Sequence, residues 1–454
     1  MKLRNVDATQ GALIPAIFVY AIPLFLTTLV QQLFNAVDIA VLGNMADTTA
    51  VASVGATSSI TGLLVSTFVA FSTATKIILA RLIGARDNKR IVNSVNMAVI
   101  LPLAIGVFSA VVGWFLTPQF LVWTSCPETC MEGALIYLRL YISAAPFILL
   151  YNFGSSVLAA SGDTRRPLIY MMASGVLNVV LNVILCILLP QKVMAVAIAT
   201  VSSHILGAIL VIHRMVRMDG PCRLVISKIR WDMQAFVSVL RYGIPLMITA
   251  MLYPISNLQI QSAVNVIGVA AIAGNSAGST IESLIAGLNS AFGATTTAFM
   301  GQNIGAGQPE RVKKSFFYCI SFSILITFLC STFMMLTRDF WLRFILANDY
   351  EAYKYAYLRM WFVLAVYAIA SANGCITHAI QAFGYPIFSS SVSILCVFGF
   401  RVVWMQFIYP SFAPSFLHLV CCYTISWSLL LLLNICGFVY FYRRFSKGKY
   451  KKKV

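Results

Sequence analysis

Two carboxylates, Asp38 and Glu282, stand inside apolar stretches of the chain, and any proton or cation chemistry in those stretches has to start from them. Asp38 lies in Gln31-Gln32-Leu33-Phe34-Asn35-Ala36-Val37-Asp38-Ile39-Ala40-Val41-Leu42-Gly43, in the last third of an apolar run from Leu13 to Leu42. About 20 apolar residues in a helix cross a bilayer, and a charge near the centre of such a helix costs about 2.5 to 3.5 kcal/mol on insertion scales. A carboxylate kept there reads as a functional group facing protein or water; the plainer reading is an acid near the helix end that reaches interfacial water. Glu282 lies in Ser279-Thr280-Ile281-Glu282-Ser283-Leu284, and the remaining acids fall in predicted loops or at helix ends. A carboxylate that is dried and wetted in turn, or that meets a cation, exchanges a proton or Na+, which is the minimum chemistry of an ion-driven carrier. The plain alternative for each acid is an interhelical hydrogen bond that holds helices together.

The other polar residues in the apolar runs carry weaker expectations. His204 and His378 read first as packing histidines and second as groups that titrate near neutrality. Lys76, Arg139 and Arg401 are expected within a turn or two of an interface, where long stems snorkel. Phe34, Tyr151 and Tyr253 are candidates to stack on flat cations. There is no nucleotide loop, no His-Glu-x-x-His and no acid or histidine cluster within a run, so an enzyme is not expected, and neither a cofactor nor a structural metal.

The elements that position these residues follow from composition. Hydrophobic residues make up 60% of the 454 and charged ones 10%, well beyond the roughly 45 to 50% apolar share of a soluble domain. Apolar runs fall near residues 13–42, 50–82, 92–116, 132–160, 168–190 and 193–213, and again near 236–266, 269–302, 313–336, 354–382, 387–409 and 414–442. These predict an all-α polytopic membrane protein with twelve transmembrane helices. The first run is too long for the core of a signal peptide and reads as a retained helix. The net charge of +18 collects at alternate connections, at Arg81 to Arg90, Arg165 and Arg166, the stretch from His213 to Asp232, Arg311 to Lys314, and the tail from Arg443. The positive-inside rule then places both termini in the cytoplasm, with Lys192 and the group Arg338, Arg343, Lys354 and Arg359 as exceptions. Every basic cluster has a topological reason, so lipid is the expected partner of the basic tail and nucleic acid is not. Cys126 and Cys130 are the one local cysteine pair, either bridged outside the cytoplasm or left as free thiols.

The two sets of six runs repeat each other. Ile22-Pro23-Leu24 recurs as Ile244-Pro245-Leu246 and Asn35 as Asn257, displaced by 222; Ile60, Leu63, Ala70, Phe71, Thr75, Ile83, Gly84, Ala85 and Arg90 meet Ile281, Leu284, Ala291, Phe292, Thr296, Ile304, Gly305, Ala306 and Arg311, displaced by 221. Repeats that both begin inside are parallel repeats about an axis along the membrane normal. The expected organisation is an N-lobe at 1–212, a cytoplasmic linker at 213–235 and a C-lobe with a basic tail at 236–454. Pro23 and Pro245 mark helices expected to kink or bend.

Gln31 to Gly43 with Val54-Gly55-Ala56, Ile83-Gly84-Ala85-Arg86 with its copy Gly301-Gln302-Asn303-Ile304-Gly305-Ala306-Gly307, and Ala160-Ser161-Gly162-Asp163-Thr164-Arg165-Arg166-Pro167 together resemble the multidrug and toxic compound extrusion family over essentially the whole chain. The resemblance implies two six-helix lobes around a central cavity, and export of small, often cationic amphiphilic compounds driven by H+ or Na+ entry. It also implies an N-lobe cation site of Asp38, Asn178, Asn182 and Thr200. Some relatives carry a second aspartate where this chain has Asn182, and the amide here favours H+ over Na+; a helix-7 acid of another branch is missing from Tyr253 to Asn257, which adds weight to Glu282. The cavity candidates are Gln31, Phe34, Asn35, Tyr151, Tyr253, Asn257 and His378, in a protein expected to act as a monomer on a small-molecule substrate. The alternative within transport is a flippase for a lipid-linked saccharide, whose pyrophosphate would call for grouped cavity cations that this reading does not find.

Overall fold

The computed structural model describes residues 6–45, 48–124, 126–346, 349–411 and 415–448, without the side chains of 34–36, 39, 40, 44 and 48. Within them the chain is helical and contains no strand. In order the helices are α1 (Leu13–Met45), α2 (Thr48–Gly84), α3 (Asn88–Trp123), α4 (Glu128–Ser143), α5 (Ala145–Ala160), α6 (Arg165–Leu188), α7 (Lys192–Arg217), α8 (Met233–Ile267), α9 (Val269–Gly305), α10 (Pro309–Leu336), α11 (Arg338–Leu346), α12 (Tyr350–Arg359), α13 (Tyr367–Ala382), α14 (Pro386–Ser393), α15 (Phe400–Val403) and α16 (Phe416–Ser446). Among the described residues nine spans are single elements long and apolar enough to cross a membrane, α14 to the turn after α15 counting as one. Two more are broken, with α4 and α5 meeting at 45° and α12 and α13 at 43°. The twelfth is α9, whose 37 residues are long enough but rich in Gly, Ser, Thr and Asn. Outward faces are apolar, as at Phe108, Phe115, Ile187 and Leu188, all exposed, because lipid replaces water as the neighbour.

The helices pack as two units. One contains Ile22–Met247 and the other Ala8–Ala21 with the chain from Ile248 onward. The first turns of α1 therefore belong to the second unit, where Tyr20 packs edge-on against Phe299 at 5.6 Å. The first turns of α8 belong to the first unit, where Arg81 donates to the hydroxyl of Tyr242 at 2.9 Å. Tyr20 and Tyr242 are themselves 222 apart.

The connection after α7 packs rather than dangles. Asp232 accepts from the backbone N–H of Ala235 at 2.7 Å, capping α8, and from Asn93 at 2.6 Å. Cys222 and Leu224 are buried within it, and burial pushes the Cys222 thiol up to about 12. Lys192 finds its reason at a helix end, where its ammonium donates to the carbonyls of Cys186 and Leu189 at 2.6 and 3.0 Å, satisfying acceptors that the last turn of a helix leaves open. Arg338 pairs with Asp339 and Lys354 with Glu351. Cys126 and Cys130 are both buried free thiols.

The repeat extends to single hydrogen bonds. Helices α2 and α9 are both 37 residues long. After each the chain turns through one left-handed residue, Arg86 at φ 56° and Gly307 at φ 69°. Arg86 donates to Ile83 and Asp87 to Leu82, while Gly307 donates to Ile304 and Gln308 to Asn303, the double bond of a Schellman end. An L-residue in that conformation costs roughly 1 to 2 kcal/mol, and Arg86 is exposed. Arg86→Gly is therefore expected to be neutral or stabilising and Gly307→Arg destabilising by about 1 kcal/mol, read as opposite shifts in thermal unfolding of the detergent-purified protein.

Candidate functional site

In the first unit three helices bring four polar residues together. Asn178 and Asn182 are four apart on α6 and share a face; Thr200 comes from α7 and Asp38 from the last third of α1. Asn182 Nδ2 donates to Asp38 Oδ1 at 2.5 Å and to Asn178 Oδ1 at 3.2 Å, and Asn178 Nδ2 donates to Thr200 Oγ1 at 3.4 Å. The Thr200 hydroxyl is itself held by the carbonyl of Val196 at 2.9 Å. Asn178, Asn182 and Thr200 are buried and Asp38 is half-buried. Among the described residues no Lys, Arg or His pairs with Asp38.

One acceptor in this cluster is unsatisfied. Among the described residues Asn182 Oδ1 is buried without a donor, beside a carboxylate whose direct partner is an amide. Two arrivals satisfy such a group. A small hard cation takes carboxylate, amide and hydroxyl oxygens as ligands. Alternatively, a protonated Asp38 gains an O–H that donates to an amide oxygen once the amide turns over. Tyr137 stands beside Asp38 and Thr200 and stacks with Tyr141 at 6.2 Å.

The second unit treats its acid differently. Glu282 on α9 is half of an ion pair, with Arg359 Nη2 2.6 Å from its Oε2. Arg359 Nη1 donates to Asn275 at 2.6 Å, and its guanidinium lies over the ring of Tyr423 at 5.2 Å. Arg359 was expected in an outer loop; it ends α12 within a membrane span and is 5% exposed. Arg401 was expected to snorkel; it is 1% exposed. Its Nη1 donates to Asn257 at 2.8 Å and its guanidinium faces the rings of Tyr423 at 4.4 Å and Tyr253 at 5.9 Å. Lys76 is also buried, whereas Arg139 lies over Trp114 at 5.3 Å.

The remaining candidates are scattered. His204 meets Tyr141 edge-on at 5.9 Å. His378 Nδ1 is 2.9 Å from Thr297 Oγ1, and its ring packs where a Cβ on Gly293 would come within 2.4 Å. Tyr151 is buried and donates to the carbonyl of Pro167 at 3.0 Å. Gln31 is half-buried, and the side chains of Phe34 and Asn35 lie outside the described residues. Sequence reasoning passed over Arg359, Asn275 and Tyr423. The usable signal was the demand that a buried acid makes for a cation, with Arg359 one of the few basic residues inside the predicted apolar runs.

A chain of two six-helix bundles with a polar cluster buried in each is built as a membrane transporter. The family model MatE matches residues 23–184 and 245–405, one match in each repeat, and the chain belongs to that family. It is 27% identical over 315 residues to "Probable multidrug resistance protein YpnP" of Bacillus subtilis, covering 68% of this chain and 69% of that one. It is 26% identical over 291 residues to a "FAD transporter" of Shewanella oneidensis, covering 61% and 62%. Among solved structures, a MATE transporter in complex with MaL6 superposes with a TM-score of 0.89 at 20% identity, covering 99% of this chain and all of the other. A Pyrococcus furiosus transporter of the MOP superfamily, described as having a binding pocket of reverse polarity, gives 0.87 at 19% over the same share. The fold is the twelve-helix, two-lobe fold of these transporters, and the protein is an integral membrane protein.

Removing one partner of a buried ion pair leaves the other charge stranded. Glu282→Gln is expected to destabilise the protein by about 3 kcal/mol, and adding Arg359→Gln to recover most of that loss. Thermal unfolding of the two single variants and the double variant in detergent closes the cycle.

Proposed function

We propose that the protein is a secondary active antiporter that exports small amphiphilic organic compounds across a bacterial cytoplasmic membrane, both termini cytoplasmic, in exchange for H+ or Na+ by alternating access. The observation that carries this reading is the Asp38 cluster, where among the described residues a carboxylate without a protein cation stands beside a buried amide oxygen without a donor. Relatives named as multidrug resistance and FAD transporters agree with export of small organic compounds. With a single formal charge the cluster holds Na+ less firmly than a pair of carboxylates would, so H+ is the favoured ion.

In the proposed cycle Asp38 takes up the ion when its face of the lobe is open to the outside. Neutralising the carboxylate releases the Asn182 amide, α6 and α7 repack against α1, and the ion leaves on the cytoplasmic side. Glu282 has its charge answered by Arg359 and keeps the ion pair through the cycle. The test is efflux of ethidium and of carboxyfluorescein from proteoliposomes under an imposed pH or Na+ gradient. Asp38→Asn is expected to cut gradient-driven efflux at least tenfold, and Asn182→Asp to add Na+ dependence. An Asp38→Asn protein with wild-type efflux and unchanged pH and Na+ dependence would overturn the assignment.

A further inference from the structure

The polar cluster of the second unit carries two guanidiniums and one carboxylate. The Glu282 charge is spent on Arg359, so the positive charge of Arg401 has no carboxylate against it among the described residues. Burying a guanidinium without a counter-ion costs several kcal/mol. Two aromatic faces and the Asn257 oxygen offset part of that cost. The donors of Arg401 are unevenly used. Nη1 reaches Asn257; among the described residues the buried Nε has no acceptor and Nη2 has no hydrogen-bond partner. Nε and Nη2 form the edge with which arginine grips a carboxylate or phosphate through two parallel hydrogen bonds.

Local backbone and surface point the same way. Arg401 sits on the single turn of α15 between two π-helical segments, Ile394–Gly399 and Trp404–Ile408, and Arg359 directly precedes a third, Met360–Leu364. Such wide turns in otherwise regular helices mark functional positions more often than packing ones. Tyr253 is 37% exposed and Asn257 is exposed on α8, so two residues that contact the buried guanidinium also reach accessible surface.

We infer that Arg401, with Tyr253 and Asn257, binds the oxyanion of a flat aromatic compound, its carboxylate or phosphate on the guanidinium and its ring on the tyrosine. The expected cargo of this lobe is then anionic or zwitterionic rather than purely cationic. The assignment rests on the export reading for its purpose, but binding needs no ion gradient and is measured apart from transport.

The experiment is equilibrium binding to the full-length protein in nanodiscs, using carboxyfluorescein, 4-methylumbelliferyl phosphate, neutral 4-methylumbelliferone and cationic ethidium. Wild type is expected to bind at least one anion more tightly than the neutral compound, the better anion telling carboxylate from phosphate. Arg401→Lys is expected to weaken that anion about tenfold, since a charge-assisted bidentate contact is lost, without weakening ethidium. Asn257→Asp gives Arg401 a carboxylate of its own and removes the free charge without emptying a buried site. That variant is expected to fold as wild type does and to lose anion binding about tenfold, which keeps the test open if Arg401 variants misfold. Anions bound no better than 4-methylumbelliferone, or bound equally by wild type and Asn257→Asp, would overturn the assignment while leaving gradient-driven export through Asp38 untouched.

Discussion

A carboxylate held among apolar helices keeps its charge only if something in the protein answers it, and the two lobes answer theirs in different ways. Asn182 meets Asp38 with an amide, which donates a hydrogen bond but carries no charge. Arg359 meets Glu282 with a full positive charge. An ion pair with good geometry is at rest, because breaking it strands two charges at once. A carboxylate met by an amide retains an unfilled demand, and a small cation or a proton fills it without displacing anything charged. On the proposed cycle this difference, more than the presence of an acid in each lobe, separates the exchange site from a structural one.

The duplicated scaffold makes the contrast sharper. Helices α2 and α9 have the same length and end on the same pair of turn bonds, and the broken spans bend by 45° and 43°. Yet the acids are not positional twins. Asp38 maps onto Ile260, displaced by 222, and Glu282 onto Thr61, displaced by 221. On its broken span the first lobe sets Tyr137 beside Asp38, and on its own broken span the second sets Arg359 beside Glu282. Backbone geometry is repeated while charge is not. The repeat therefore supplies two equivalent frames, and the residues that diverge within them carry whatever differs between the lobes.

Much of this was legible in the sequence, for identifiable reasons. Span positions followed from hydropathy because lipid tolerates only helices with apolar faces, and α9 was read as an apolar run at 269–302 although its Gly, Ser, Thr and Asn lower its hydropathy. The assembly of Asp38, Asn178, Asn182 and Thr200 was expected from a family resemblance, since nothing in the spacing alone says that α1, α6 and α7 meet at those residues. What was misread was the depth of arginines. Arg401 was placed at an interface because a long stem snorkels from an isolated helix, and Arg359 was counted with the basic residues of an outer loop. In a bundle the same stem turns inward when an acid, an amide or an aromatic face lies within reach, and those partners sit 77 and 144 residues away in the chain. Local patterns do not report contacts at such separations. The division of the chain was also shifted, because the first turns of α1 and α8 each pack with the unit containing the other repeat's helices.

The placement of Arg401 has a backbone cause. A π-helical segment accommodates one more residue than the α-helix around it and advances the register by about 100°. Residues beyond the insertion then face a direction that the 3.6-residue period does not forecast. Arg401 lies after one such segment and before another, and Arg359 immediately before a third. A sequence read at a constant period assigns a side chain beyond such a segment, as Arg401 is, to the wrong face. The irregular turns leave backbone groups in poorer hydrogen bonds, a cost that a packed membrane helix bears only where the altered register brings something useful inward. Here it brings inward the Arg401 guanidinium that meets Asn257 and stacks on Tyr423, and with it the net positive charge of the second lobe's polar cluster.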